Sequence, residues 1–437
     1  MRRYKLFLLL LQPIFASAQQ TVLTLEEAIA SALQSNYNIL LVKNDSSAFA
    51  LDRSFTYAAF IPRLNGSAQK VWNNNAQKQE LPNGTKRDTS GIKSNNLQAS
   101  LNLNWTLFDG LKMFITRDRL VELDRLGGLT VKNQVVTTVA DVVNNYYNIV
   151  RSKLQLKAID EQISINEERV KLADRKFSVG LGAKPELLQA KVDLNARKAA
   201  RLRQLTLIDQ LKEQLNQVMA VTLSTTYDVI DSIPINTELQ YGDLQKNITN
   251  TNPTLLIARK NIEISKLIVR ERKAERFPIL TFNSAYNFNR TENKAVINQF
   301  TPLFNQNKGF NYGFGLSVPI LNNFNTKRLI QQAELDVQYQ EIFLKNQLSL
   351  VDLALSNSFK NYELEKKSLA LEEENISLAR ENVSIALERF RQGVSTYLEL
   401  RDAQISLEQA LDRLIAARYN TKLAETELLR LKGDLVR

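Results

Sequence analysis

The longest regular pattern in the chain is a row of apolar residues seven apart: Leu348, Leu355, Tyr362, Leu369, Ile376, Val383 and Phe390. A second row of the same period holds Leu364, Leu371, Leu378 and Ile385. A seven-residue repeat marks helices packed as coiled coils, and two such rows imply neighbours on both sides of one helix. Proline and glycine, the residues that break helices, are nearly absent here. No proline follows Pro319, and the later glycines are Gly393 and Gly433. The pattern predicts one helix from Thr326 to Gln392, a reversal at Gly393, and a returning helix from Tyr397 to Lys432. At 1.5 Å per residue these would be about 100 Å and about 54 Å long.

Ahead of each long helical stretch the period changes to two. Leu97, Ala99, Leu101, Leu103, Trp105 and Leu107 alternate with polar residues, as do Leu280, Phe282, Tyr286 and Phe288, and then Phe310, Tyr312, Phe314, Leu316 and Val318. With a less regular segment after Pro62, this predicts four strands, at 64–73, 97–107, 279–289 and 310–318. Nearly uncharged segments of about ten residues with aromatics on one face suit membrane-spanning barrel strands. A half-buried soluble sheet is the alternative. The intervening stretches, Asn74 to Asn96 and Arg290 to Lys308, are rich in Asn, Gln and Lys and read as solvent loops. Four strands cannot close a barrel, and an open sheet edge cannot face lipid. Pairing between copies is therefore implied, and three copies would give twelve strands around an aqueous lumen.

The chain also repeats itself. Phe177-Ser178-Val179-Gly180, followed by Glu186-Leu187, Ala190 and Leu194, recurs as Phe390-Arg391-Gln392-Gly393, followed by Glu399-Leu400, Ala403 and Leu407, always 213 positions on. Asn36, Ile39, Leu40, Pro62 and Leu64 recur 216 positions on as Asn252, Leu255, Leu256, Pro278 and Leu280. Several ordered matches predict two structural repeats, 19–222 and 253–437, joined by a polar segment, 223–252. Each repeat would hold an upper helix, two strands and a long helical hairpin, with tips near 180–185 and 392–397. The fold class is thus mainly α with a small β part: a long α-helical coiled-coil barrel plus four transmembrane β-strands per protomer.

Composition removes chemistries. With no histidine and no cysteine among 437 residues, there can be no disulfide, Cys/His zinc site or His-dependent catalytic triad. The 14 glycines and 9 prolines are too few for a turn-rich β protein. The formal charge of +11 owes Arg2, Arg3 and Lys5 to a basic start, which leads into the apolar run Leu6 to Leu11 and the small-x-small pattern Ala16-Ser17-Ala18. That is a secretory signal peptide over 1–18. No cysteine follows the cleavage site to carry a lipid, and no later run approaches the ~18 apolar residues of a spanning helix. The remaining positive charge is spread along the chain, so nucleic acid is not an expected partner.

Taken together, these residues resemble the TolC-type outer-membrane efflux proteins. The marks are Leu23-Thr24-Leu25-Glu26-Glu27-Ala28, Asn252-Pro253-Thr254-Leu255, Phe108-Asp109-Gly110, Val318-Pro319-Ile320-Leu321 and the hairpins centred on Gly180 and Gly393. The resemblance covers nearly all of the mature chain. It implies a homotrimer with a twelve-stranded barrel in outer-membrane lipid and a helical tunnel in the periplasm. The tunnel would dock on an adaptor protein and an inner-membrane pump, as in multidrug efflux and type I secretion. It implies no enzymatic activity, no catalytic residues, no cofactor and no metal. A soluble periplasmic coiled-coil scaffold or adaptor is the competing reading.

By the same resemblance, Val179, Gly180, Leu181, Gln392, Gly393 and Val394 form the adaptor-facing tips. Glu399 and Asp402 match the acidic residues that narrow the closed channel, and Glu186 and Gln189 are their counterparts in the first repeat. Glu399 and Asp402 are three apart and share a helix face, so three copies would put six carboxylates around the axis. The other reading makes them solvated charges paired with Arg401 or Arg389. The tyrosine and arginine that latch the family's gate are replaced here by Phe390 and Ser395. Pro185 stands opposite Leu398, so the two hairpins should open differently.

Overall fold

A computed structural model describes residues 22–222, 226–294 and 300–435. The segment read as a signal peptide, 1–18, lies outside them. The chain runs α1 (Leu25–Ser35), α2 (Tyr37–Ser54), a 3₁₀ turn (Thr56–Ala59), β1 (Arg63–Glu80), β2 (Lys86–Phe108), α3 (Lys112–Ser178) and α4 (Lys184–Met219). The same order then recurs: α5 (Tyr241–Thr251), α6 (Pro253–Ala274), β3 (Ile279–Asn293), β4 (Phe304–Ser317), α7 (Asn325–Arg391) and α8 (Tyr397–Lys432). Helices α3 and α7 each have 67 residues, and α4 and α8 each have 36. The expected class, mainly α with four antiparallel strands, is the one observed. The bounds expected for α7 are met within one residue, and those for α8 coincide.

Three details differ from the sequence expectation. The single upper helix expected in the first repeat is two helices, α1 and α2, broken at Asn36, and a similar break at Asn252 separates α5 from α6. Each asparagine closes the preceding helix and donates its side-chain amide to a backbone carbonyl, Asn36 to Val218 (2.6 Å) and Asn252 to Leu431 (2.8 Å). Asparagine competes well with helical backbone bonding, which suits it to such a break. Helix α5 lies inside the polar segment 223–252, where no element was expected; its Leu244 and Ile248 are buried. The strands also reach well into the stretches read as loops. β1 and β2 stay paired from Arg63↔Asn104 out to Glu80↔Lys86, with one bulge near Asn75 and a turn over Leu81–Thr85. Polar composition suggested loops there, but Asn, Thr, Lys and Gln can hold a ladder whose faces are both wet.

The described residues form two compact units, each assembled from distant parts of the chain. The first unit draws on residues up to 42, on 131–253 and on 349 onward. Its largest core joins Ala28 and Ala32 of α1, Val139 to Val150 of α3, Ile208, Leu211, Leu215 and Met219 of α4, and Tyr227, Val229 and Ile233 beyond it. A capping box starts α1, with Thr24 and Glu27 bonding each other's backbone N–H (3.2 and 2.9 Å). Ile376, Ala379 and Val383 of α7 pack on Ala403, Leu407, Ala410 and Leu411 of α8. The first seven-residue row is thus buried from Leu355 to Phe390. The second row is not: Leu364, Leu371, Leu378 and Ile385 are between 53% and 62% exposed.

The second unit, residues 43–130 and 254–348, contains the antiparallel sheet in the order β1-β2-β3-β4. Register aligns Leu64, Leu103, Ser284 and Tyr312 in one row, Gly66, Leu101, Tyr286 and Phe310 in the next, and Trp105, Phe282 and Phe314 in a third. The opposite face carries Asn65, Asn102, Ala285 and Asn311, then Ser67, Ser100, Asn287 and Gly309. One face is therefore apolar and aromatic, the other small and polar. The apolar face takes its first charge at Lys308, beside Phe288, and its next at Lys70 and Arg290, which flank Leu97. From Leu97 to Leu107 is about the 9–11 residues that a tilted membrane strand needs. Strands β1 and β4 are the unpaired edges. The motif Phe108-Asp109-Gly110 starts α3. Asp109 accepts the Met113 N–H (3.1 Å). Gly110 has φ +73, and a Cβ there would lie 2.4 Å from the Ala274 carbonyl oxygen. No helix among the described residues is long and apolar enough to cross a membrane.

Candidate functional site at the helical tips

Both hairpins reverse through the same backbone device. After α3, Gly180 N–H bonds Phe177 O and Leu181 N–H bonds Lys176 O; after α7, Gly393 N–H bonds Phe390 O and Val394 N–H bonds Arg389 O. These are Schellman pairs, and each glycine sits at φ +79, where a side chain is strained. Val179, Leu181 and Val394 project from the tips, 64–82% exposed. Exposed apolar residues at a reversal form a docking surface more readily than a core. Val179, Gly180 and Leu181 thus form the first reversal, and Gln392, Gly393 and Val394 the second.

The restarting helices differ. α4 begins with Pro185 in its first turn and no side-chain cap, whereas Thr396 caps α8 by accepting Glu399 N–H (3.2 Å). The Glu399 carboxylate also accepts the Ser395 hydroxyl. Glu399 and Asp402 are exposed and line an open groove with Asn382, Ile385 and Arg389 of α7. Neither forms an ion pair among the described residues. Arg401 turns instead to Asp193, 3.7 Å away. Gln189 donates to Asp193 (2.8 Å), and Glu186 is half-buried in the first turn of α4. The four candidate constriction residues are thus divided between the starts of α4 and α8.

Phe390 is buried with Ala173, Leu187, Ala190, Tyr397 and Leu400, a cluster that joins both hairpins. Lys176 of α3 donates to the Phe390 carbonyl (3.0 Å) with its ammonium 3.8 Å from the ring centroid. The Phe390 carbonyl thus accepts a second hydrogen bond beside that from Gly393 N–H.

Sequence reasoning missed the polar centre just above this cluster. Arg169 of α3 is 3% exposed. Its guanidinium donates to Asp193 of α4 (2.7 Å), Gln404 of α8 (3.0 Å) and Asn166 (2.7 Å), and lies 5.1 Å from the Tyr397 ring centroid. Tyr397 in turn donates its hydroxyl to Asp193 (3.1 Å). Burial acts to raise the Asp193 pKa, but hydrogen bonds from Gln189 and Tyr397 and the charges of Arg169 and Arg401 outweigh it and hold the carboxyl below its usual range. Two seven-residue rows carry a signal of this centre: Gln155, Gln162, Arg169 and Lys176 on α3, and a glutamine within the row Tyr397, Gln404, Leu411 on α8. Among the described residues no group of three or more potential ligands is placed to hold a metal ion.

Long paired hairpins, a sheet with one aromatic and one polar face, and exposed apolar tips define a class of membrane-exit protein. The outer membrane efflux protein family matches residues 28–222 and 244–434, and the chain belongs to that family. It is a transport protein of the outer membrane, not a member of an enzyme family, and the reading as a soluble scaffold or adaptor falls away. The chain is 21% identical over 367 residues to outer membrane protein TolC of Escherichia coli (strain K12), covering 80% of this chain and 72% of that one. It is 23% identical over 354 residues to protein CyaE of Bordetella pertussis, covering 79% and 72%. The solved structure of the Campylobacter jejuni CmeC outer membrane channel superposes with a TM-score of 0.75 at 16% identity, covering 94% of this chain and 85% of that one.

Proposed function

We propose that three copies of this chain form one exit duct, in which twelve strands close a barrel through outer-membrane lipid and the helices enclose a periplasmic tunnel. The observation that carries this reading is the sheet itself. It has two unpaired edges, an aromatic face suited to lipid and a polar face suited to a lumen, and a lipid-embedded sheet must have no free edge. The exposed row Leu364, Leu371, Leu378 and Ile385 supports the same assembly, since burying each such side chain contributes about 1.5–3 kcal/mol. Structural repeats over 19–222 and 253–437, joined by 223–252, then give six hairpins around the axis.

The apolar tips, Val179, Gly180 and Leu181 with Gln392, Gly393 and Val394, are where a periplasmic adaptor binds and links the duct to an inner-membrane pump. Substrates pass without being chemically changed. Glu399 and Asp402, unpaired and exposed, narrow the entrance and favour cations, with Glu186 and Gln189 on the neighbouring helix start. The protein purified from outer membranes should run as a heat-sensitive trimer and form ion channels in planar bilayers. Glu399→Gln with Asp402→Asn keeps the cap's hydrogen bonding and removes the charge, so conductance should rise or cation preference fall. A monomer in the soluble fraction would overturn the assembly. Unaltered conductance and selectivity would place the constriction elsewhere.

A further inference from the structure

The polar centre on Arg169 opens into a cavity of about 80 Å³ between α3, α4 and α8. Its charged lining is unequal: Arg169, Arg197 and Arg401 face only Asp193 and Glu408. Arg197 pairs with Glu408, while Arg169 and Arg401 share the one carboxylate of Asp193. One positive charge is therefore left over at the cavity: Arg169 takes Asp193 at 2.7 Å, and Arg401, 39% exposed at the rim, stands 3.7 Å from the same carboxylate.

The hydrogen-bond inventory points the same way. Three buried nitrogens in the cavity lining have no protein partner: Arg169 Nε, Gln404 Nε2 and Gln162 Nε2. Their residues are only 3–4% exposed. The orientation of Gln404 is fixed, because its Oε1 already accepts from Arg169. An arginine Nε carries a hydrogen in every state. Arg169 Nε and Gln404 Nε2 are thus donors, and buried donors left unmatched cost about 1–3 kcal/mol each; the Gln162 amide can turn to donate beside them. What satisfies them must accept hydrogen bonds, and what balances the lining must be negative.

We infer that this cavity is a binding site for a small monovalent anion of chloride size. About 10–15 Å³ of such space admits one water, so there is room for a halide with part of its hydration shell. Drug-sized ligands need roughly 300 Å³ or more. The bound anion bridges the first hairpin, through Arg169 and Gln162, to the returning helix of the second, through Gln404. It therefore adds stability to the tip half of the first unit.

The test uses the full-length protein in detergent. Crystals prepared in sodium bromide should show an anomalous bromine peak in the cavity, within hydrogen-bond reach of Arg169 Nε and Gln404 Nε2. At constant ionic strength, Tm should be higher in chloride than in gluconate, which is too large to enter. Gln404→Glu supplies the negative charge covalently, so the chloride-over-gluconate difference should vanish in that variant. A well-ordered cavity holding water and no bromide would overturn the site, as would an equal chloride effect in wild type and Gln404→Glu. If the variant does not fold, the bromide map decides alone.

Discussion

At the level of single residues, the chain marks its helix ends with one repeated solution and one exception. α3, α7 and α8 end on a left-handed glycine, at Gly180, Gly393 and Gly433, whereas α4 ends on Ala220 at φ +53. A left-handed non-glycine residue costs roughly 1–2 kcal/mol. Ala220→Gly should therefore stabilise the protein by up to about 1 kcal/mol, and Gly393→Ala should destabilise it by a similar amount; thermal unfolding reads both. Gly433→Ala should be worse, because the added Cβ would sit 2.7 Å from the Thr251 carbonyl oxygen. Asp193 predicts a pH dependence. Its folded pKa lies below the ordinary value, so its contribution is complete above the unfolded value of about 3.9 and is lost as pH falls through the folded one. Acid should loosen α8 from α3 and α4 below about pH 4, and Asp193→Ala should remove that step. The variant should cost about 3–5 kcal/mol at neutral pH, since it strands the buried Arg169 charge. Glycine turns were legible in the sequence because one residue carries the signal. The Arg169 centre was not, because its partners stand 24 and 235 positions away.

At the level of elements, legibility followed period. Seven-residue rows located α7 and α8 almost to the residue, because every turn of a long helix repeats the same evidence. The strands were found but cut short, because apolar alternation stops where the sheet leaves the lipid-like band while backbone pairing goes on. Asn36 and Asn252 were visible as matched positions, yet their role as breaks depends on distant carbonyls of Val218 and Leu431. The exposed row on α7 supports a direct prediction. Leu371→Glu with Leu378→Glu touches no buried position of the protomer, so helical content by circular dichroism should be unchanged. The heat-sensitive trimer should be lost on semi-native gels. A trimer of undiminished heat resistance would show that this row faces solvent in the assembly.

At the level of the whole molecule, sequence, structure and family agree on an outer-membrane efflux protein, while the assembly and its gate rest on surfaces that one chain leaves open. The interleaving of the two units has a further consequence, for the order in which the protein can be made. The first unit needs segments before residue 43 and after residue 348, and β2, ending at Phe108, must wait for β3, beginning at Ile279. A chain emerging amino-terminus first thus completes neither unit until most of it has crossed the inner membrane. Contacts so distant in sequence form slowly and leave apolar surface open to aggregation. Such a chain is expected to need holding by chaperones until its last segments arrive. A chain stopped after Gln392 lacks α8 and with it Leu400, Leu407 and Leu411 of the tip-side cores. It should remain protease-sensitive and chaperone-bound even though all four strands are present.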